Sequence, residues 1–277
     1  MIVFIVGLPR SGTTYLQSQF LNFDKVVALG EVALTIYAIK NVENISPKWK
    51  LLLRIRNKSH WNSQTYPILL ERIRRDSFWS KIEEDIRSTN TIKEAIELVY
   101  SRAVEQYPDH IFIDSSKSIN HLKTIMTSKE YQTKLYVLHC IRDYRGWLYS
   151  IKKHKKRLNY SKKSNLLEVY TWLFANKRIL KFLRTNFNNR HLIISYDKMI
   201  FSYQQSIEKI AAVMNLSLLK DGKSENEFHE ILGSQSFKKS INRNELVYDS
   251  EWFEYNSKCF EIFVQIFNRR MYKKHLN

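Results

Sequence analysis

The chain has 277 residues, of which 44% are hydrophobic, so it can bury the core of one large domain and is not a disordered chain. Its 45 Lys and Arg residues against 27 acidic ones give a formal charge of +18, which favours an anionic partner but is equally compatible with a lysine-rich surface that binds nothing. Two cysteines exclude a disulfide framework, and no apolar run approaches the ~20 residues of a transmembrane helix, so we expect a cytoplasmic protein without a transmembrane segment.

Short apolar strands alternate with helices along most of the chain. Strands are predicted at residues 2–6, 110–114, 134–141 and 191–195, and helices at 13–22, 91–107, 145–157 and 202–214. This alternation predicts a single α/β domain spanning residues 1–277, with a doubly wound parallel sheet and flanking helices. Residues 45–108 interrupt the pattern and predict a helical insertion at the edge of the sheet, and residues 251–272 predict a further helix.

A glycine-containing loop directly follows the first predicted strand. Residues 7–14 read GLPRSGTT, which matches the P-loop pattern G-x-x-x-x-G-K-[ST] except that Thr13 replaces the Lys. The missing Lys normally reaches the β- and γ-phosphates of a triphosphate. The positive charge lies on Arg10 instead, where it could neutralise a leaving-group oxygen, so the sequence predicts a P-loop-type fold whose donor places one phosphate in the loop. The predicted phosphate-binding residues are Pro9, Arg10, Ser11, Gly12, Thr13 and Thr14.

Arg142 and Ser150 form a second predicted phosphate site. Arg142 follows the strand at residues 134–141, and Ser150 is expected in the first turns of the next helix. A guanidinium at the carboxyl end of a strand can bind a phosphate through two hydrogen bonds, and a nearby hydroxyl can donate a third. The competing interpretation is that Arg142 only forms a salt bridge with Asp143.

Together these motifs resemble those of the sulfotransferases that use 3′-phosphoadenosine 5′-phosphosulfate (PAPS), in particular the bacterial and tyrosylprotein-sulfotransferase-like branch. The loop of that family reads Pro-[Arg/Lys]-Ser-Gly-Thr-Thr. Its Arg-Asp-Pro-Arg stretch has a Ser eight residues after the first Arg, as Arg142 and Ser150 do, although Tyr144 stands in place of the Pro. The resemblance implies metal-free, in-line transfer of a sulfuryl group from PAPS to a hydroxyl or amine, with 3′,5′-adenosine bisphosphate (PAP) as the product.

The resemblance also implies two catalytic residues besides Arg10. Glu31, in a Gly-Glu pair 21 residues after Arg10, matches the general base of the tyrosylprotein sulfotransferases, and Lys117 matches a Lys that contacts the transferring sulfuryl group. The competing role for Glu31 is to cap its own helix. His121 is the alternative base, because the cytosolic branch of the family uses a His.

The sequence leaves open the roles of two basic segments and two alternative functions. Lys238 and Lys239 stand near the position where the family carries an Arg over the nucleotide, but a solvated basic loop fits them equally well. The basic residues 152–157 look like a phosphate or membrane patch, but a solvated helix face is the favoured interpretation. The expected partner is a small-molecule acceptor and not a nucleic acid. The alternative functions are a P-loop kinase or phosphotransferase that uses ATP and Mg²⁺, and a non-enzymatic protein that binds polyanions.

Overall fold

The computed structural model describes residues 1–40, 65–157, 165–219, 226–229 and 231. Lys238, Lys239, the helix expected at residues 251–272 and the first part of the predicted insertion lie outside the described residues.

The described residues form strands that alternate with helices, as the sequence predicts. In chain order the elements are β1 (Ile2–Gly7), α1 (Thr13–Gln19), β2 (Val26–Gly30), α2 (Val32–Ile39), α3 (Thr65–Arg75), α4 (Trp79–Ser88), α5 (Ile92–Gln106), β3 (Ile111–Lys117), α6 (Ile119–Met126), α7 (Lys129–Gln132), β4 (Leu135–Ile141), α8 (Tyr144–Arg157), α9 (Asn165–Asn186), β5 (His191–Ser195), α10 (Tyr196–Phe201), α11 (Tyr203–Met214) and β6 (Glu227–Phe228).

The strands form one parallel sheet in the order β5-β4-β1-β3-β2-β6. The predicted α/β class with a parallel sheet is confirmed.

Two strands, β2 and β6, were not predicted. All five residues of β2 are buried, and the strand passes into α2 through Gly30 (φ 75°) and Glu31 with no turn-forming stretch between them. In the sequence, this short apolar run therefore could not be distinguished from the start of the helix that follows it.

Alternate residues of β1 contribute to two separate hydrophobic cores on the two faces of the sheet. Ile2, Phe4 and Val6 pack with α2 to α6, and Val3 and Ile5 pack with α1, α10 and α11. Side chains of a strand point alternately to opposite faces, so a strand covered by helices on both sides is apolar throughout. This burial explains why β1 and β4 could be recognised as continuous apolar runs.

The described part of the predicted insertion is helical, as expected, and consists of α3, α4 and α5. Trp79 of α4 and Val99 of α5 are fully buried in the same core as Phe4 of β1. These helices therefore cover a face of the sheet, whereas the sequence analysis placed the insertion at its edge. The reason is that α5 is also the crossover helix that connects β2 to β3.

The segment that contains β6 is attached to the start of α4 by a buried histidine. Asp76 accepts hydrogen bonds from the backbone N–H groups of Phe78 and Trp79 at 2.9 and 3.0 Å, so its carboxylate caps the helix. His229 Nδ1 lies 3.0 Å from Asp76 Oδ1, and His229 Nε2 lies 3.0 Å from the Tyr107 hydroxyl. The Trp79 indole N–H donates to the carbonyl of His229 at 3.1 Å. Burial alone would raise the pKa of Asp76, but the hydrogen bonds from His229 and the helix N–H groups lower it below its ordinary value.

We expect the substitution His229→Ala to reduce the free energy of unfolding by about 1–3 kcal/mol, because it removes a hydrogen bond to the charged Asp76 and another to the Tyr107 hydroxyl. The pKa of Asp76 is lowered in the folded state, so its contribution is present at neutral pH and is lost only as the pH falls through that lowered value. Urea unfolding at pH 7 measures the effect. His110, which is only partly buried and contacts the Pro108 carbonyl at 2.8 Å and the ring of Tyr107, is the control, and an equal loss in His110→Ala would contradict the prediction.

Candidate active site

The loop of residues 8–12 connects β1 to α1, as predicted, and β4 and α8 hold it in place. The backbone N–H of Ser11 donates to the Leu8 carbonyl at 3.1 Å, which closes the loop on itself. The Trp147 indole N–H of α8 donates to the Pro9 carbonyl at 2.9 Å, and the Cys140 thiol of β4 donates to the Ser11 carbonyl at 3.0 Å. The loop is therefore fixed at the carboxyl edge of the sheet, where parallel α/β proteins bind their ligands.

Gly12 is required by its backbone conformation and by its neighbour. Its φ angle is 89°, in the left-handed region, and a Cβ atom added there would clash with the Tyr196 ring. Arg10 also has a positive φ, 70°, so two loop residues share this unusual geometry. The glycine thus lets the ring of Tyr196 pack directly over the start of α1.

Ser11 and Arg142 carry buried polar atoms that have no hydrogen-bond partner among the described residues. These atoms are Ser11 Oγ and Arg142 Nε and Nη2. Arg142 is 5% exposed, and the one hydrogen bond of its side chain to the described residues runs from Nη1 to the Arg10 carbonyl at 3.5 Å, at the long limit of such bonds. Burying unpaired donors of a guanidinium is costly, so these groups fit an anionic ligand that would accept from them.

Arg142 does not form the salt bridge that was the competing interpretation. The carboxylate of Asp143 instead pairs with Arg145, with Nε 3.1 Å from Oδ1. The guanidinium of Arg142 stacks on the ring of Tyr196, with its carbon 4.9 Å from the ring centroid. The stacking orients the cation without satisfying its N–H groups.

The two predicted phosphate sites lie next to each other. Arg10 Nε donates to Ser150 Oγ at 3.0 Å, although the two residues are 140 positions apart. Arg10 belongs to the loop, and its carbonyl also lies 3.5 Å from Arg142 Nη1, so this residue connects the two predicted sites. The arrangement offers two neighbouring groups of polar donors.

Glu31 and Lys117 form an ion pair between Glu31 Oε1 and Lys117 Nζ. Their side chains are 10% and 19% exposed. Glu31 occupies the N-cap position of α2, but its side chain makes no capping hydrogen bond. The competing role as a helix cap is therefore wrong, and the carboxylate faces the lysine that ends β3.

A buried network fixes both ends of this ion pair. Ser116, next to Lys117, accepts a hydrogen bond from the backbone N–H of Ala33 at 2.9 Å, which joins β3 to the first turn of α2. The carboxylate of Asp114 accepts from the Ser116 backbone N–H at 2.8 Å and from the Tyr100 hydroxyl at 2.6 Å. Burial, and after it the charge of Asp114, raise the pKa of Tyr100 well above its ordinary value, so its hydroxyl remains a donor.

His121, the alternative base, is part of the same network and lies in the core. It is 3% exposed, its Nε2 is 3.0 Å from Asp114 Oδ2, and its ring packs on Phe4 at 5.6 Å between centroids. An acceptor substrate in solvent has no access to this ring. The geometry therefore favours Glu31 as the base.

Two residues outside the predicted site, Tyr196 and Trp147, also shape it. Tyr196 contacts both Gly12 and Arg142, and its neighbour Asp197 accepts from the Asp143 backbone N–H at 2.6 Å. The position of Tyr196 and Asp197 directly after β5 was the signal that could have placed them at the site, because the carboxyl ends of parallel strands share one edge of the sheet.

Among the residues that the structure describes, no three His, Cys, Asp or Glu side chains cluster as metal ligands would. None of the helices in those residues is both long and apolar enough to cross a membrane.

Known proteins show the same architecture and sequence pattern. The model of the Sulfotransferase family matches residues 3–221. The chain is similar to the sulfotransferase domain of the olefin synthase of Synechococcus PCC 7002, with 14% identity and a TM-score of 0.63, covering 98% of this chain and 94% of that one. It is also similar to the sulfotransferase domain from the curacin biosynthetic pathway, with 15% identity and a TM-score of 0.54, covering 91% and 95% of the two chains. No curated protein matches the sequence. Because the family match covers most of the chain and includes the phosphate loop, Glu31, Lys117 and Arg142, this chain belongs to the sulfotransferase family.

Proposed function

We propose that this enzyme transfers the sulfuryl group of PAPS to a hydroxyl or amine of a small acceptor and releases PAP. The observation that carries the proposal is the set of buried donors on Ser11 and Arg142 that have no partner among the described residues, next to two residues, Arg10 and Ser150, that contact each other. PAPS carries phosphate groups at two separate positions, and two neighbouring groups of donors fit such a molecule. A triphosphate needs the loop Lys that Thr13 replaces.

Each group of donors has a distinct role in donor binding. The backbone N–H groups of residues 8–12, the start of α1 and the Ser11 hydroxyl bind the 5′-phosphosulfate, because they present several donors to one anion. Arg142 and Ser150 bind the 3′-phosphate through charge-assisted hydrogen bonds. Arg10 lies between them and neutralises the charge that develops on the bridging oxygen when it leaves.

Glu31 and Lys117 act on the acceptor side of the donor. Glu31 accepts the proton of the acceptor hydroxyl or amine while that atom forms its bond to sulfur. The bond between sulfur and the phosphate oxygen breaks on the opposite side, and that oxygen keeps the electron pair as part of PAP. Lys117 stabilises the negative charge on the sulfuryl oxygens. Because Glu31 and Lys117 form an ion pair, the group that takes the proton lies beside the group that stabilises the negative charge.

The proposal assigns the acceptor only to a chemical class, that of small molecules with a hydroxyl or amine. The proposal places it beside Glu31, on the side of the helical insertion that includes α3 and α4. A small metabolite, a cytoplasmic location and the absence of a nucleic-acid partner remain predictions from the sequence, and so do the roles of Lys238 and Lys239. Incubation with labelled PAPS and an extract of the source organism, followed by mass analysis of the labelled product, identifies the acceptor.

We expect PAP to raise the melting temperature without any metal ion. At a concentration about 100 times its Kd, a ligand that binds only the folded state stabilises it by about 2.7 kcal/mol. The shift is measured by differential scanning fluorimetry in the presence of EDTA. ATP with Mg²⁺ is the control and should give a smaller shift. A larger shift with ATP and Mg²⁺ would restore the kinase alternative, which the family assignment does not support.

A further inference from the structure

Most of the net positive charge of this protein is concentrated in one segment, and the Lys and Arg residues of this segment have no role in the proposed reaction. Residues 144–190 contain thirteen Lys and Arg residues and one acidic residue, so they carry +12 of the net charge of +18. The one acidic residue, Glu168, is buried and pairs with Lys155. No carboxylate of this segment therefore faces the solvent to balance its cations.

The first turns of α9, in the same segment, expose a row of large apolar side chains. Leu166, Leu167, Tyr170 and Phe174 are 63%, 47%, 58% and 59% exposed. Their spacing places them on one face of the helix, and the rings of Tyr170 and Phe174 stack at 5.0 Å. The opposite face of α9 is already buried, through Val169, Trp172 and Leu180. These four exposed residues, which we call the apolar stripe of α9, are thus a second apolar face with no partner in the described core.

Basic side chains flank the apolar stripe at both ends. Beyond Phe174, the same face of α9 continues with the exposed residues Lys177 and Lys181. At the other end, the contact between Lys155 and Glu168 shows that the last turns of α8 lie beside the first turns of α9. Lys153 and Lys156 of α8 are exposed there. A helix face that combines Leu, Tyr and Phe with adjacent lysines is typical of segments that lie in a membrane interface.

We propose that α8 and the apolar stripe of α9 form a docking surface for an anionic lipid bilayer. The leucines and aromatic rings enter the boundary between headgroups and acyl chains, and the surrounding lysines contact the lipid phosphates. Single exposed apolar residues are common in soluble proteins, but four on one helix face are not. Leucines do not stack on nucleobases, so the stripe fits lipid better than it fits a nucleic acid.

Co-sedimentation with vesicles tests the proposal on the full chain. The protein is expected to bind vesicles of equal parts phosphatidylcholine and phosphatidylserine at about 0.1 M salt, and to bind far less to phosphatidylcholine alone. Raising the salt to about 1 M should release most of the protein, because screening then acts over about 3 Å. Equal binding to both kinds of vesicle, or no binding to the anionic ones, would overturn the proposal.

Two double variants and one control locate the surface. Tyr170→Ser with Phe174→Ser, and separately Lys177→Glu with Lys181→Glu, should each weaken binding to the anionic vesicles about tenfold or more. Phe201→Ser is the control, because Phe201 is 67% exposed but lies in α10, on the opposite face of the sheet. All three proteins should keep the melting temperature and PAP affinity of the unchanged chain, since the substituted residues are exposed.

Three results would each overturn the proposal in favour of another partner or none. The first is a loss of vesicle binding in the Phe201 variant equal to that in the α9 variants. The second is a dimer, detected by light scattering, that the Tyr170 and Phe174 substitutions dissociate in the absence of lipid. The third is tighter binding to a DNA duplex than to the anionic vesicles.

Discussion

Glu31→Gln is expected to lower the turnover number about 10²–10⁴-fold, which is the usual effect of losing a general base. Glutamine keeps the size of the side chain, and its amide oxygen can still accept a hydrogen bond from Lys117, so the local geometry is preserved. Only the capacity to take a proton is lost. The affinity for PAPS should hold or rise slightly, because a negative charge beside the sulfate is removed.

A rate assay at saturating donor and a binding titration distinguish the possible roles of Glu31. Lys117→Ala is the comparison variant, and it should lose both rate and some donor affinity, because the proposed function assigns its cation to the sulfuryl oxygens. Near-normal turnover in Glu31→Gln would end its assignment as the base. A variant that lost donor binding instead would show that Glu31 shapes the site and does not remove the proton.

Arg142→Ala is expected to weaken the affinity for PAP by about 10- to 150-fold, since a hydrogen bond to a charged group contributes roughly 1.5–3 kcal/mol. Turnover at saturating donor should fall less, because the 3′-phosphate lies away from the bond that breaks. The free energy of unfolding without ligand should change little, since the substitution removes a buried cation whose Nε and Nη2 atoms have no hydrogen-bond partner in the described part of the chain. If Arg142 were only structural, the substitution would lower the free energy of unfolding and leave the affinity for PAP nearly unchanged.

Arg145→Ala provides the matched control for this prediction. It removes a guanidinium three residues away that pairs with Asp143 and is not assigned to the nucleotide. Isothermal titration with PAP and urea unfolding without ligand are measured on both variants. If the two variants lose the same affinity, or if Arg142→Ala keeps full affinity, the 3′-phosphate site lies elsewhere.

The amino-acid sequence by itself determined the parallel α/β class, four of the strands and the position of the phosphate loop. These features are encoded by neighbouring residues. A strand covered on both faces must be apolar throughout, as Ile2 to Val6 are, and a phosphate loop needs its glycines and hydroxyls within a few positions. The resemblance to the sulfotransferases also rested on contiguous signals, at residues 7–14 and 142–150.

The tertiary structure alone decided which of the candidate residues lie together. Glu31 and Lys117 are 86 positions apart, and they meet because β2 lies next to β3 in the sheet, an order that no local pattern encodes. The same holds for Arg10 and Ser150, which β1 and β4 bring together as neighbours. Burial then removed His121 from the candidates, because its ring faces the core and pairs with Asp114. Contacts between distant residues depend on strand order and packing, and these arise only when the whole chain folds.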